Sequence, residues 1–175
     1  MPRGDPSSQT PAVGGRVSLR RRLADGGQGD LLGFVLATDA GRLLVRDRHG
    51  TVHAVARADV LALRTVGVAR GRDPIRTPVA DLDRLAAAAG VSGRAFVARL
   101  CDLLDGRAPA PPPAWPAPPP CPALLDGEWV TGAACPDLLA LVWWASHHDA
   151  RSIHVRTTDA EVLAALEQLG FHERT

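Results

Sequence analysis

Residues 16–66 leave few folding options, because short apolar–polar alternations are cut by a turn at every joint. Val17 and Leu19 alternate with Arg16, Ser18 and Arg20, and Leu32, Phe34 and Leu36 repeat the period of two. Leu43 and Val45, Thr51–Val55 and Val60–Arg64 continue the series. Asp25-Gly26-Gly27, Asp39-Ala40-Gly41 and Arg48-His49-Gly50 lie between them, residues that tolerate the positive φ of hairpin turns. Ala56–Asp59 predicts a short helical turn before the last strand. Five short strands on tight turns cannot cover both faces of an open sheet. The expected structure is a small curled antiparallel barrel around Leu32, Phe34 and Val45.

Charge is distributed unevenly along the chain. Residues 16–66 carry nine arginines against five aspartates, whereas 108–175 carry three arginines against eight acids. A basic front can meet an anionic partner or the acidic rear, and scattered solvated charge explains it equally well. Lys, Asn and Tyr are absent, which points to GC-rich bacterial coding rather than to a function. Cys101, Cys121 and Cys135 are too far apart for a Cys-x-x-Cys zinc site and are expected as reduced thiols of a cytoplasmic protein. No signal peptide or membrane-length apolar run is visible, so a soluble protein without a membrane partner is expected.

The flanking segments divide by composition. Residues 1–14 are expected as a disordered leader, 15–66 as the barrel and 67–76 as a linker. Residues 77–106 predict a helical hairpin. Its first helix is capped by Thr77 and Pro78, with Val79, Leu82, Leu85, Ala86 and Ala89 on the apolar stripe and Gly90 at its end. Its second begins at Ser92 and turns Phe96, Val97, Leu100, Leu103 and Leu104 inward. Residues 107–122, with the run "APAPPPAWPAPPPCP", favour polyproline II (PPII) and could span roughly 45 Å at about 3.1 Å per residue. They are expected as a spacer, with Trp115 available to dock on a neighbouring surface. Residues 123–175 predict strand, helix, strand, helix: Leu124–Thr131, Pro136–Ser146, Ser152–Thr157 and Ala160–Leu169.

Three resemblances attach to these segments. Gly15-Arg16-Val17, Asp30–Leu36 with Gly33 inside it, Arg48-His49-Gly50 and the "ARADV" turn resemble the SH3-like domain that precedes the catalytic domain in a group of bacterial GNAT-superfamily N-acetyltransferases. "LAAAAGVSGRAFVARL" resembles a helix-turn-helix, in which Arg94 and Arg99 would face nucleic acid. "LLALVWWASHHDARSIHVRTTDAEVLAALEQLGF", ending in Leu169-Gly170-Phe171, is similar to the second half of a GNAT fold. The expected class is therefore α+β: an SH3-like barrel, a helical hairpin and a shortened GNAT-like β-α-β-α tail.

The GNAT resemblance implies acyl transfer from acetyl-CoA to an amine, with no metal. Thr131, Gly132, Ala133 and Ala134 would hold the pyrophosphate through their amides, and Glu128 would act as base directly or through water. The sequence departs from that family in three places. No basic residue leads the pyrophosphate loop, Pro136 lacks an amide donor, and Leu166 stands where the general-acid tyrosine is expected. The alternatives are a non-catalytic adaptor working with a protein partner or as a homodimer, and a DNA-binding regulator acting through residues 79–104. His147-His148-Asp149 at a helix end, His154 on the expected solvent side of a strand and His49 in a turn need no functional explanation. Cys135 near a helix start is expected as a half-buried structural thiol.

Overall fold

The computed structural model describes residues 10–175, which form two units, each built on its own five-stranded sheet. In the first unit β1 (Arg16–Arg22), β2 (Gln28–Thr38), β3 (Arg42–Asp47), β4 (Val52–Ala56) and β5 (Val60–Thr65) pair antiparallel in the order β4-β3-β2-β1-β5. Aspartates shape the turns. Asp39 Oδ1 accepts from the amides of Gly41 and Arg42, both at 2.8 Å, and Asp47 Oδ1 accepts from His49 at 2.9 Å and Thr51 at 3.0 Å. A 3₁₀ turn, Arg57–Asp59, joins β4 to β5, the two outermost strands. Three residues reach roughly 10 Å at most, so the sheet must curl to bring these edges together.

Val17, Leu19, Leu31, Val35, Leu43, Val45 and Val55 make the core of this unit. Val45 lies there as expected. Leu32 does not: it is 47% exposed, and Phe34 is buried on the opposite face of β2 from Val35. Leu31 and Leu32 are equally apolar, so alternation alone could not choose between the two faces. The choice shows in the register with β1, which sets Leu31 opposite the core Leu19 and Leu32 opposite Ser18, and in the close approach at Gly33, where a side chain would strike the Arg46 carbonyl. Residues 10–14 are not a loose leader end either. Gly14 N donates to Val35 O at 2.8 Å, and Val35 N donates to Gly15 O at 2.9 Å. The remainder of the expected leader, residues 1–9, lies outside the described residues.

Residues 108–117 also belong to the first unit, where a spacer was expected. Arg46 Nη1 donates to Pro113 O at 2.7 Å, and the same guanidinium lies 4.8 Å from the Trp115 ring centroid. A Cβ at Gly50, whose φ is +84°, would collide with that indole, and one at Gly14 would collide with the Ala110 carbonyl. The proline-rich segment is thus a strap laid on the barrel.

The second unit carries a mixed sheet in the order β10-β6-β9-β8-β7. Its strands are β6 (Arg94–Arg99), β7 (Ala123–Asp126), β8 (Trp129–Ala133), β9 (Ser152–Thr157) and β10 (His172–Arg174). Its helices are α1 (Val79–Ala89), α2 (Leu100–Leu104), α3 (Leu138–His147) and α4 (Ala160–Gln168). The expected second helix of the hairpin is overturned: residues 94–99 form β6, and only the short α2 follows. Ala95, Phe96, Val97 and Ala98 are all at most 3% exposed. A strand buried on both faces has a continuous apolar run, and over so few residues that run matches a buried helix. Gly93, at φ +111°, enters β6 where a Cβ would meet the Thr157 carbonyl.

The expected single strand Leu124–Thr131 is a hairpin, β7 and β8, turning at Gly127 with φ +56°. The rest of the tail keeps its expected order. α3 crosses from β8 to the parallel β9, Asp159 caps α4 by accepting from Glu161 N at 2.9 Å, and Leu166 and Phe171 are buried. α1 packs over β7 and β8 through Leu82, Leu85 and Ala86.

Candidate functional site

An open cleft of about 730 Å³ lies in the second unit where β8 and β9 begin. Its sheet side is Asp126, Glu128, Trp129 and Ser152, and its helix side includes Arg72 and Arg84. The β7–β8 turn projects Asp126 and Glu128 to solvent from either side of Gly127. The Glu128 carbonyl accepts from the amides of Arg151 at 2.8 Å and Ser152 at 3.0 Å, while its carboxylate pairs with Arg151 Nη1 at 3.1 Å. Ser152, at the start of β9, is 3% exposed. On the helix side Asp73 caps the 3₁₀ turn Pro74–Arg76 by accepting from Ile75 N at 3.3 Å, and it pairs with Arg99 Nη2 at 3.3 Å. Glu128 therefore stands in an accessible, mixed-charge cleft that Ser152 also lines.

The other predicted cofactor residues lie elsewhere on the strand. Thr131 and Gly132 are buried in the middle of β8 between β7 and β9, and Ala133 pairs with Arg156. Ala134 N donates to Arg156 O at 3.1 Å. These amides serve the ladder and do not form the open cup expected of a pyrophosphate loop. The start of α3 is occupied as well, because Asp137 Oδ1 accepts from Ala140 N at 3.2 Å and sets a carboxylate where a phosphate would sit. Just before it, Cys135 is joined to Cys121 in a disulfide with Cα atoms 6.5 Å apart, so two of the three expected thiols are not reduced. Burial pushes the remaining Cys101 thiol up, away from thiolate chemistry.

Arg94 and Arg99, expected on a recognition helix, stand at the two ends of β6. Their separation is an odd number of residues, so they face opposite sides of the sheet. Arg94 is held by Glu173 and lies 5.7 Å from the Phe96 ring, and Arg99 lies 3.3 Å from Asp73 and 3.5 Å from Asp102. No helix presents them together to a groove, and the nucleic-acid reading through residues 79–104 loses its reading element.

A buried polar strip went unrecognised in the sequence. His154, expected on the solvent side, is fully buried. Arg156 donates Nε to His154 Nε2 at 3.1 Å and Nη1 to Gly93 O at 3.0 Å, and it pairs with Asp83 of α1. Burial, and then the charge of Arg156, pushes the His154 imidazole down to about 4. Its Nδ1 and the Thr131 Oγ1 on the register-paired residue of β8 both lack partners. The alternation Ser152, His154, Arg156 matches a solvated face, and only α1 packing over this side makes it interior. Among the described residues no three His, Cys, Asp or Glu side chains are grouped to hold a metal ion, and no helix is long and apolar enough to cross a membrane.

Comparison with known proteins bears on the first unit alone. Residues 11–64 match the family described as the Rv0428c N-terminal Sm-like domain. That is about a third of the chain, and it makes the curled five-stranded unit similar to a small, β-rich Sm-like domain. No curated protein and no solved structure matches the chain.

Proposed function

We propose that the chain is a GNAT-superfamily relative, with acyl transfer from acetyl-CoA to an amine as the chemistry its resemblance implies. The observation that carries this reading is the run β8–α3–β9–α4 with β8 and β9 parallel and adjacent, closed by the buried Leu166 and Phe171 around Gly170. In this reading the acceptor amine enters the cleft, and Glu128 takes its proton directly or through water. Thr131–Ala134 would hold the donor pyrophosphate only if β8 parts from both β7 and β9, since its amides serve the ladders on either side. Calorimetry of the full chain with acetyl-CoA at millimolar ligand tests this. Saturable heat supports the reading, and its absence removes the acyl donor.

A second reading is a non-catalytic adaptor that acts with a protein partner or as a homodimer. It is favoured by the commitment of the residue 131–134 amides to the ladder and by the Asp137 carboxylate on the start of α3. Static light scattering and partner capture, with acetyl-CoA binding absent, would select it.

A further inference from the structure

We propose that the barrel surface around Arg46 and Gly50 is a recognition site for an extended, tryptophan-bearing polyproline peptide, and that residues 108–117 are its resident ligand, held in cis. The chemistry of Arg46 carries this. Its side chain is 2% exposed, yet no carboxylate pairs with it among the described residues. Its Nη1 bonds only the Pro113 carbonyl, its Nη2 has no partner, and its guanidinium faces the Trp115 ring. A buried cation without a counter-ion costs stability, and a residue retained only for packing at that place would be aliphatic. Both groups that compensate Arg46, a carbonyl and an indole, come from the strap. Without the strap, that side of Arg46 would be open to water.

The receptor side is shaped for the same ligand. Gly50 supplies the positive φ of its hairpin turn, and its missing side chain is the space the indole fills. Gly14 gives equivalent room to the Ala110 carbonyl. PPII repeats every three residues and makes no internal hydrogen bonds, so residues 110 and 113 present their carbonyls on one edge. Pro113 O accepts from Arg46 and the Ala110 carbonyl lies against Gly14, with Trp115 beyond them. In common polyproline recognition the aromatic side chains belong to the receptor. Here the ligand brings the ring and the receptor brings the cation. A tethered ligand of this kind acts at an effective concentration in the millimolar range, so the intact chain masks the site against weak partners in trans.

The test uses the full chain and a fluorescein-labelled synthetic peptide of residues 108–118, followed by anisotropy. Trp115→Ala empties the indole site and is expected to bind the peptide at least tenfold more tightly than the unaltered chain. Adding Arg46→Ala, or giving the peptide alanine in place of its tryptophan, is expected to abolish the gain. A folded Trp115→Ala chain that ignores the peptide at millimolar concentration would overturn the proposal, as would unchanged binding after Arg46→Ala. Should Trp115→Ala not fold, Pro111→Gly with Pro112→Gly decides, because it loosens the strap without touching the indole. That double variant must bind the peptide more tightly than the unaltered chain, and equal binding overturns the proposal.

Discussion

The two sheets solve the same problem, closing five strands around a core, by opposite routes. In the first, most strands pair with a sequence neighbour across a short turn, and only β1 with β5 is a long closure. In the second, β6 pairs with β9 and β10 across the whole length of α2, β7, β8 and α3. The buried Arg46 and the half-buried Arg156 differ in the same sense: Arg46 meets a carbonyl and a ring, whereas Arg156 meets Asp83 and His154. The difference teaches where each unit is vulnerable. The first rests on local turn chemistry, and the second on a few long-range contacts whose loss opens everything they join.

The largest expected effect therefore falls on the middle of the second sheet. Phe96 is fully buried on β6, which holds β9 and β10 together. Phe96→Ala should cost about 3–5 kcal/mol, measured by urea denaturation followed by circular dichroism. A cost under about 1 kcal/mol would mean that β6 does not organise this sheet.

The disulfide comes next. It closes a loop with a sequence separation of 14 between the end of the proline-rich segment and the entry to α3. By the loop-entropy relation its reduction should destabilise the second unit by about 3 kcal/mol. Thermal unfolding with and without a phosphine reductant checks this. Cys121→Ala with Cys135→Ala should reproduce the loss and become insensitive to reductant.

His154 gives the comparison a pH signature. Its folded value of about 4 lies below the unfolded value near 6.5, so in that window the unfolded chain binds the proton and the folded chain does not. The stability it contributes is complete above the unfolded value and falls as the pH drops from about 6.5 towards 4. The loss is up to about 3 kcal/mol. His154→Gln keeps an acceptor for Arg156 and does not titrate, so its stability should be flat across that window. An unchanged slope in this variant would place the proton uptake elsewhere.

What could be seen in the sequence divides along the same line. All five strands of the first sheet and the Arg57–Asp59 turn were visible, because aspartate and glycine at the joints act on their own neighbours. The inward face of β2 was not, since Leu31 and Leu32 are equally apolar and only the register with β1 sets Leu31 opposite the core Leu19 and Leu32 opposite Ser18. β9, α3, α4 and the Gly170 stop were legible from caps and periodicity. β6 was not, because burial on both faces removes the period that separates strand from helix. The Cys121–Cys135 pairing and the burial of His154 depend on which elements meet in space, and neither leaves a local mark. That the amides of residues 131–134 lie in a ladder is not legible either, because Leu124–Thr131 reads as one strand and hides the turn that makes β7 a neighbour of β8.

The smallest expected effect tests the claim that turns carry the first unit. Asp47 binds two backbone amides of the β3–β4 turn, and its Oδ2 lies 2.9 Å from His53 Nε2. His53 first, then those amides, hold its carboxyl below the usual range despite some cost of burial. Asp47 stabilises the fold above its unfolded value, about 3.9, and that contribution fades as the pH falls through its lower folded value. Asp47→Ala should cost about 1–2 kcal/mol at neutral pH, since it leaves two amides without acceptors. Asp47→Asn keeps an oxygen for both amides and loses only the charge facing His53, so it should cost less than half as much. Equal costs in urea denaturation would mean that the charge, not the turn hydrogen bonds, stabilises this hairpin. The first sheet would then depend on contacts between strands as much as the second does.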